Sequence, residues 1–327
     1  MSTKNLVYLS IQQTLQDLIY FITEMNVKHG FSEDTKWIAI GGAKGGSLAA
    51  WLRYLYSNVV HGAVASSAPM HFQPEIAGYY DTIGRILNDY NPRCKVAIEQ
   101  AHAKLDEMSQ SKNGRREISK LMNVCSQLSS LDMDYQFFMT IGMNYLCEVL
   151  EKDHSRKGVE QICTIMMNKS EESSPVERYS NVIRMIMNHK DEKCIATKFS
   201  DFAATLKTLD ILPHTMKIKR ADLYERCTQY GLFPTSTSSK SFHLSRSLKL
   251  DLYLVLCSIV VPFKVNENYL SEMTKKTNTA YAGLRIVANN LLFVGGTEDP
   301  SSQVQITSKD GKNEKKCEII VVKGRLT

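Results

Sequence analysis

In the first third of the chain, apolar positions first follow the period of a helix and then form the short runs that are typical of buried strands. Over residues 10–29 apolar side chains recur at steps of four and three, which forms one stripe along a helix. Ser10 and Gln13 have the spacing of a capping box, and Gly30 suits the C-terminal cap. The pattern therefore predicts a helix over 10–29, with its stripe formed by Ile11, Leu15, Leu18, Ile22 and Met25.

Shorter apolar runs follow this helix. Residues 37–40 and 59–65 are typical of buried strands, and residues 46–56 between them are typical of a helix. This order predicts parallel strands joined by a helix, which is the α/β arrangement.

The spacing of apolar residues changes after Pro69. From about 75 to 225 it stays near 3.6, as in Ala97, Ala101, Leu105 and Met108, and it predicts a helical insert. Strand patterns return near the end of the chain. We therefore predict α/β parts at 1–70 and 284–327 and a mainly helical segment at 71–283, with polar breaks at 109–116 and 168–175, a loop at 234–241 and strands at 284–294 and 318–322.

The turn between the first predicted strand and the next helix is the main chemical candidate. Residues 41–45 read Gly-Gly-Ala-Lys-Gly, the glycine spacing of the sharp turn that carries a nucleophilic Ser in hydrolases. Ala43 stands where that Ser is needed. The glycines could instead serve only a tight turn. A phosphate-binding loop needs Lys directly before Ser or Thr, whereas Gly46 precedes Ser47.

A hydrolase of this type also needs an acid and a His, in that order along the chain. Asp299 directly follows an apolar strand pattern, which makes it the acid candidate, although an Asp-Pro surface turn would look the same. No His follows Asp299. The eight His residues lie earlier, in stretches that favour structural or exposed roles: His29, His61, His71, His102, His154, His189, His214 and His243.

Composition limits the other possibilities. With 327 residues and 43% apolar content the chain can build a large core. Its net charge of +6 is spread out, without the basic stripe and interleaved aromatic residues expected for nucleic acid. No apolar run suggests a membrane span. We predict no metal and no cofactor.

The cysteines suggest an oxidising compartment. Eight widely spaced Cys without a CxxC pair favour disulfides over zinc, with free buried thiols as the alternative. Asn168-Lys169-Ser170 matches the glycosylation pattern. The N-terminus shows no secretory signal.

The turn and its surroundings resemble the family of lysosomal Pro-Xaa carboxypeptidase, dipeptidyl peptidase II and thymus-specific serine protease. Residues 227–233 (CTQYGLF) and 293–300 (FVGGTEDP) also resemble family segments, so the resemblance spans nearly the whole chain. The matching residues around the turn are Trp37, Gly41, Gly42, Gly46, Ser47, Leu48, Ala49, Ala50, Trp51, Arg53, Gly62, Ala63, Ala65, Ser66, Ser67, Ala68 and Pro69.

The resemblance implies a partial α/β-hydrolase fold with a large helical cap, and an exopeptidase that acts near proline in lysosomes or outside the cell. By alignment Ala43 replaces the nucleophile, Asp299 retains the acid, and Thr327 falls in the His column. The backbone N–H of Lys44 would help to hold the oxyanion. Ser301 stands where the family has Trp. Roughly the first hundred residues of a family member are expected to be missing.

Three hypotheses follow. The first is an inactive family member or fragment that binds a peptide with proline near its end, or a protein partner, without cutting it. The second is an active peptidase that uses another Ser, such as Ser47 or Ser66, or that belongs to a longer gene product. The third is a structural protein without a working pocket.

Overall fold

The fold was analysed on a computed structural model of the chain. The structure describes residues 3–76, 78–128, 133–152, 156–168, 173–207, 214–237, 241–307 and 317–324.

The described residues form a mixed α/β structure with many helices, which confirms the predicted fold class. The strands are β1 (Trp37–Gly42), β2 (Val60–Ser66), β3 (Gln73–Ile76), β4 (Gly231–Pro234), β5 (Leu291–Gly296) and β6 (Glu318–Val322). The helices are α1 (Thr3–Leu6), α2 (Ile11–His29), α3 (Lys44–Leu55), α4 (Gly78–Tyr90), α5 (Pro92–Ser109), α6 (Lys112–Leu121), α7 (Met133–Lys152), α8 (Lys157–Met167), α9 (Pro175–His189), α10 (Phe199–Lys207), α11 (His214–Glu225), α12 (Leu250–Val260) and α13 (Glu267–Ala280), with a π-helical turn at Arg226–Tyr230 and 3-10 turns at Gly283–Arg285 and Ser302–Val304.

The chain divides into two compact units. Unit 1 comprises Met1–Ile76, Leu209–Phe233 and Cys257–Thr327, and unit 2 comprises Ala77–Thr208 and Pro234–Leu256. Unit 1 contains a four-stranded parallel sheet in the order β1-β2-β5-β6. Since β1 and β2 are joined through α3, the crossover helix that parallel strands require is present.

The start of unit 1 follows the sequence pattern closely. Ser10 accepts a hydrogen bond from the N–H of Gln13, and Gly30 closes α2 in the left-handed conformation. Ile11, Leu15 and Ile22 of the predicted stripe are buried. The amphipathic period and both caps were therefore sufficient to define this helix.

Two predicted boundaries were wrong. Residues 284–290 are not strand, because the chain makes a 3-10 turn there and β5 begins at Leu291. Ile286 is buried, so the apolar pattern reflected burial in a turn rather than strand periodicity. The predicted polar break at 109–116 was also too long, since Ser111 caps a helix that starts at Lys112 and exposes its polar side chains.

The pairing of β3 with β4 into a separate two-stranded sheet was not predicted. Gly231 makes it possible, because a Cβ at this residue would lie 2.3 Å from the Gln73 carbonyl oxygen and its φ is +63°. Of the predicted loop at 234–241, residues 238–240 lie outside the described residues, as do Lys169 and Ser170 of the glycosylation pattern.

Unit 2 is built around helices and one large apolar core. The core consists of buried side chains from α4 to α9 with Ile195, Phe242 and Leu248, and burial of this kind is the main favourable contribution to folding. His102 of α5 is wholly buried in this unit, with its ring edge-on to Tyr179 at 5.1 Å.

Across the described part of the chain, no helix combines the length and apolar character that a membrane span requires.

Six of the eight cysteines form disulfides, and Cys147 and Cys317 are free and buried. Unit 2 contains two of the bonds and unit 1 the third; the pairs are Cys94–Cys163, Cys125–Cys194 and Cys227–Cys257. The expectation that the cysteines are mostly disulfide-bonded therefore agrees with the structure.

We expect two reactive thiols when the native protein is denatured without reductant, and eight after reduction. Mass spectrometry of the alkylated protein measures both numbers, and peptide mapping checks the three pairs. Eight thiols in unreduced protein purified from an oxidising compartment would contradict this assignment.

The burial of His102 predicts a pH-dependent stability. Burial lowers the pKa of His102 from 6.5 to about 3, so the unfolded chain binds a proton between these values and the folded chain does not. Stability is thus present above pH 6.5 and is lost as the pH falls towards 3. From pH 7 to 4.5 this residue should cost about 2 to 3 kcal/mol in free energy of unfolding.

Urea unfolding at the two pH values measures this loss. His102→Gln should remove that part of the pH dependence, because the amide does not titrate, while His189→Gln at an exposed position serves as the control. An identical pH dependence in the wild type and in His102→Gln would contradict the prediction.

Candidate active site

The turn from β1 into α3 has the strained backbone that is typical of a nucleophile elbow. We use the name elbow for residues 41–46. Ala43 has φ +49° and ψ −124°, a conformation that residues other than glycine rarely adopt. Its N–H donates to the Ser66 carbonyl at 2.9 Å, and its own carbonyl accepts from the N–H groups of Gly46 and Ser47 at 2.9 and 3.2 Å. Strand β2 and helix α3 thus hold the strained residue in place.

Two glycines of the elbow are required by close contacts. A Cβ at Gly41 would lie 2.1 Å from the Gly45 carbonyl oxygen, and one at Gly46 would lie 2.9 Å from both the Ala68 Cβ and the Ser66 carbonyl oxygen. By contrast, a Cβ at Gly42 or at Gly45 would have no atom within 4 Å. The packing of the turn therefore explains Gly41 and Gly46 without any appeal to catalysis.

Ala43 is exposed at the point where a hydrolase presents its nucleophile. Its side chain is a methyl group, which can neither attack a carbonyl nor donate a proton. The elbow thus has the strained geometry typical of a nucleophile turn, and the side chain of residue 43 carries no oxygen or sulfur atom.

Asp299 and Ala43 both lie at the carboxyl ends of strands in the same parallel sheet. Asp299 follows β5, Ala43 follows β1, and β2 lies between these parallel strands. Two strand spacings separate the strands by roughly 10 Å. The structure therefore brings the predicted nucleophile and acid positions to one end of one sheet.

The Asp299 carboxylate is occupied by its own loop. One oxygen accepts from the N–H and the hydroxyl of Ser301 at 2.8 and 2.7 Å, and the other accepts from the Gln305 side-chain amide at 2.6 Å. The same amide also donates to the Ser301 hydroxyl oxygen at 2.8 Å. These bonds lock a short turn around a largely buried acid.

No described His donates to this carboxylate. The backbone N–H of His71 donates to the carbonyl of Val304, in the loop that follows Asp299, at 3.0 Å. Thr327, the predicted His position, lies outside the described residues. The sequence analysis missed the roles of Ser301 and Gln305, although an Asp two residues before a Ser is a recognisable signal for a side-chain-capped turn.

Lys44 begins α3 beside Ala43, and its ammonium group forms an ion pair with Glu225. The Lys44 side chain is 41% exposed, whereas that of Glu225 is 8% exposed. The ammonium also lies 5.3 Å from the centre of the Tyr230 ring. The positive charge next to the elbow therefore has a buried negative partner, which the sequence analysis did not find.

Tyr230 adds a buried hydroxyl group to this cluster. Its OH has no hydrogen-bond partner among the described residues, and burial, helped by the charge of Glu225, raises its pKa. Tyr230 belongs to the CTQYGLF segment singled out from the sequence, and Glu225 lies just before it. Their place in or next to this segment was the only sign in the sequence that Tyr230 and Glu225 could lie near the elbow.

The alternative nucleophiles named from the sequence differ in their surroundings. Ser47 is buried, and its hydroxyl donates to the Pro69 carbonyl at 2.6 Å, which is a structural bond. Ser66 is half-buried. The neighbouring Ser67 has φ +48° and a buried hydroxyl without a partner among the described residues.

Within the described part of the chain, no three His, Cys, Asp or Glu side chains form a group that could hold a metal ion.

The geometry of the elbow agrees with the comparison to known protein families. The family model for serine carboxypeptidase S28 matches residues 1–322. The chain belongs to the S28 family. This confirms the resemblance to Pro-Xaa carboxypeptidase and thymus-specific serine protease that the sequence motifs indicated.

Similarity to individual S28 relatives is moderate. The Caenorhabditis elegans protein F56F10.1 is 26% identical over 92% of this chain and 58% of its own length. Human thymus-specific serine protease is 24% identical over 94% of this chain and 61% of its own length. Mouse lysosomal Pro-X carboxypeptidase is 30% identical over 39% of this chain and 27% of its own length. The chain thus spans about three fifths of the length of the first two relatives.

The occupied carboxylate predicts that Asp299 stabilises the fold. In Asp299→Asn the new NH2 group would face a donor from Ser301 or Gln305, so a buried hydrogen bond would be lost. We expect a loss of about 1 to 3 kcal/mol in free energy of unfolding. Asp34→Asn, at an exposed position of the same unit, is the matched control.

Denaturant unfolding of both variants tests this role. A catalytic acid with free oxygens would tolerate the nearly isosteric change, so unchanged stability in Asp299→Asn would show that the loop does not depend on the carboxylate.

Proposed function

We propose that this chain is a non-hydrolytic member of the S28 family that binds a peptide or a protein partner without cleaving it. The observation that carries the proposal is the exposed methyl group of Ala43 at the strained elbow. Acyl transfer by a serine peptidase requires an oxygen nucleophile at this point. Loss of the nucleophile lowers the rate of such enzymes on the order of a million-fold.

The surroundings of Asp299 and Lys44 support the same proposal. Both oxygens of Asp299 accept hydrogen bonds from its own loop, and no described His donates to either oxygen, so Asp299 orients no imidazole among the described residues. The backbone N–H of Lys44 is among those at the helix start that have no partner within the helix, which suits the predicted oxyanion role. The Lys44 ammonium is neutralised by its ion pair with Glu225, so this charge adds little to the stabilisation of a developing negative charge.

The ligand class comes from the relatives. One of them is named for cleavage near proline, and we propose that a peptide with proline near its end is the ligand here. The three disulfides and the lysosomal name of the same relative support a lysosomal or secreted location. The division into hydrolase parts 1–70 and 284–327 and a helical cap 71–283, and the His column at Thr327, stay predictions.

The alternative is an active peptidase that uses another serine, in this chain or in a longer gene product. Ser47 is a poor candidate because its hydroxyl is buried and already donates to the Pro69 carbonyl. Ser66 ends β2 and Ser67 follows it, so neither lies at the elbow, and both are without the helix start that would hold an oxyanion.

We expect no saturable labelling of the purified protein by a fluorophosphonate probe and no turnover of a proline-containing peptide. Ala43→Ser alone should restore neither, since no described His is bonded to Asp299 to act as the general base for the new hydroxyl. An S28 peptidase with Ser at its elbow serves as the positive control, and the thiol count and a thermal melt verify folding. Saturable labelling of the wild-type chain would overturn the proposal, and mapping of the labelled peptide would identify the serine.

Peptide binding is tested separately by fluorescence anisotropy with a dye-labelled form of the proline-containing peptide. Binding without turnover supports the proposal in full, whereas saturable labelling together with binding would assign the chain to active peptidases.

A further inference from the structure

Residues 241–249 of unit 2 expose basic side chains at every third position. Phe242, Ser245 and Leu248 are buried. His243, Arg246 and Lys249, each one residue further along, are exposed. The segment is therefore anchored by one set of residues and presents the other set to solvent.

The anchoring bonds occupy the nearby carboxylates of α4 and α5. Asp81 accepts from the N–H groups of Ser241 and Phe242, and Glu99 accepts from the N–H of His243 at 2.8 Å. These acids hold the main chain of the segment and not its basic side chains.

Asp106 has the same role further along the segment. It accepts from the hydroxyls of Tyr135 and Ser245 and from the main-chain N–H of Arg246 at 3.0 Å. Among the described residues, no carboxylate lies within ion-pair distance of the side chains of His243, Arg246 or Lys249. The two cations and the imidazole thus have no ion-pair partner among the described residues.

These three side chains line a cavity of about 570 Å³ that contains no carboxylate. Its other lining residues are Ser236, Thr237, Phe242 and Leu244. A neighbouring cavity shares the same basic side chains but also includes Asp106 and Glu107. The first cavity is therefore the one with an excess of positive charge.

We propose that this first cavity binds a phosphate group, as the free ion or as a monoester, through Arg246 and Lys249, with His243 as a third contact. The charge supports this ligand, because a phosphate monoester carries about −1.5 to −2 at pH 7 and so matches two cations better than a single carboxylate does. The planar fork of Arg suits two phosphate oxygens at once. The cavity is many times larger than the roughly 30 Å³ of a water molecule, which leaves room for the group that the phosphate is attached to.

This site is separate from the elbow and does not depend on the function proposed for unit 1. Its residues all belong to unit 2, whereas Ala43 and Asp299 belong to unit 1. Loss of phosphate binding would leave the peptide-binding proposal untouched.

Isothermal titration of the full-length, disulfide-bonded protein with inorganic phosphate, glucose 6-phosphate and acetate tests the proposal. We expect saturable binding of at least one of the two phosphates and much weaker binding of acetate. Tighter binding of glucose 6-phosphate would indicate an ester as ligand, and binding of inorganic phosphate alone would indicate the free ion. Failure of both phosphates to bind up to about 10 mM, an affinity too weak for a specific site, would overturn the proposal, as would equal binding of acetate.

The double variant Arg246→Gln with Lys249→Gln should weaken phosphate binding about tenfold or more. Arg116→Gln with Lys120→Gln removes the same charge from the exposed face of α6 in the same unit and is the matched control. An equal loss of phosphate affinity in both double variants would show that only the overall charge matters, and it would contradict a specific site at Arg246 and Lys249. Arg246→Lys keeps the charge but removes the fork, so it tests the contact even if the double variant folds poorly.

Discussion

The architecture of unit 1 depends on the close backbone approach at the elbow. Gly41 and Gly46 let the turn pack against Gly45 and against β2 at distances that no side chain would allow. The bonds from Ala43 to Ser66 and from α3 back to Ala43 then connect the first strand, its helix and the second strand. None of these contacts involves the side chain at position 43. The turn therefore forms with a methyl group at this position.

The carboxylate of Asp299 has a structural role in its loop. In a working triad the acid is held ready for an imidazole. Here Ser301 and Gln305 take its oxygens and close a turn that follows β5. A buried carboxylate without partners would be costly, so this local network makes the retained Asp299 compatible with its burial. Lys44 and Glu225 provide a comparable local charge balance beside the elbow.

Unit 2 follows a different principle. Its stability rests on a large apolar core and two disulfides rather than on a sheet. The polar residues near that core serve the main chain: Asp81, Glu99 and Asp106 all receive N–H groups from residues 241–246. Because the acids are used in this way, the basic side chains of the same segment are left facing a cavity without a compensating charge.

The sequence by itself determined the α/β class, helix α2 with both caps, the elbow and the family, because these features depend on local periodicity, on glycines at close contacts and on a dense motif. It also placed Ala43 and Asp299 correctly at strand ends. The start of β5 was predicted wrongly, because Ile286 is an apolar residue that is buried in a turn and not in a strand. The pairing of β3 with β4 was not predicted. Only the tertiary structure decided that Gln305 and Ser301 occupy Asp299, that Glu225 neutralises Lys44 and which cysteines pair. Each of these depends on residues brought together by folding, and no local pattern encodes that proximity.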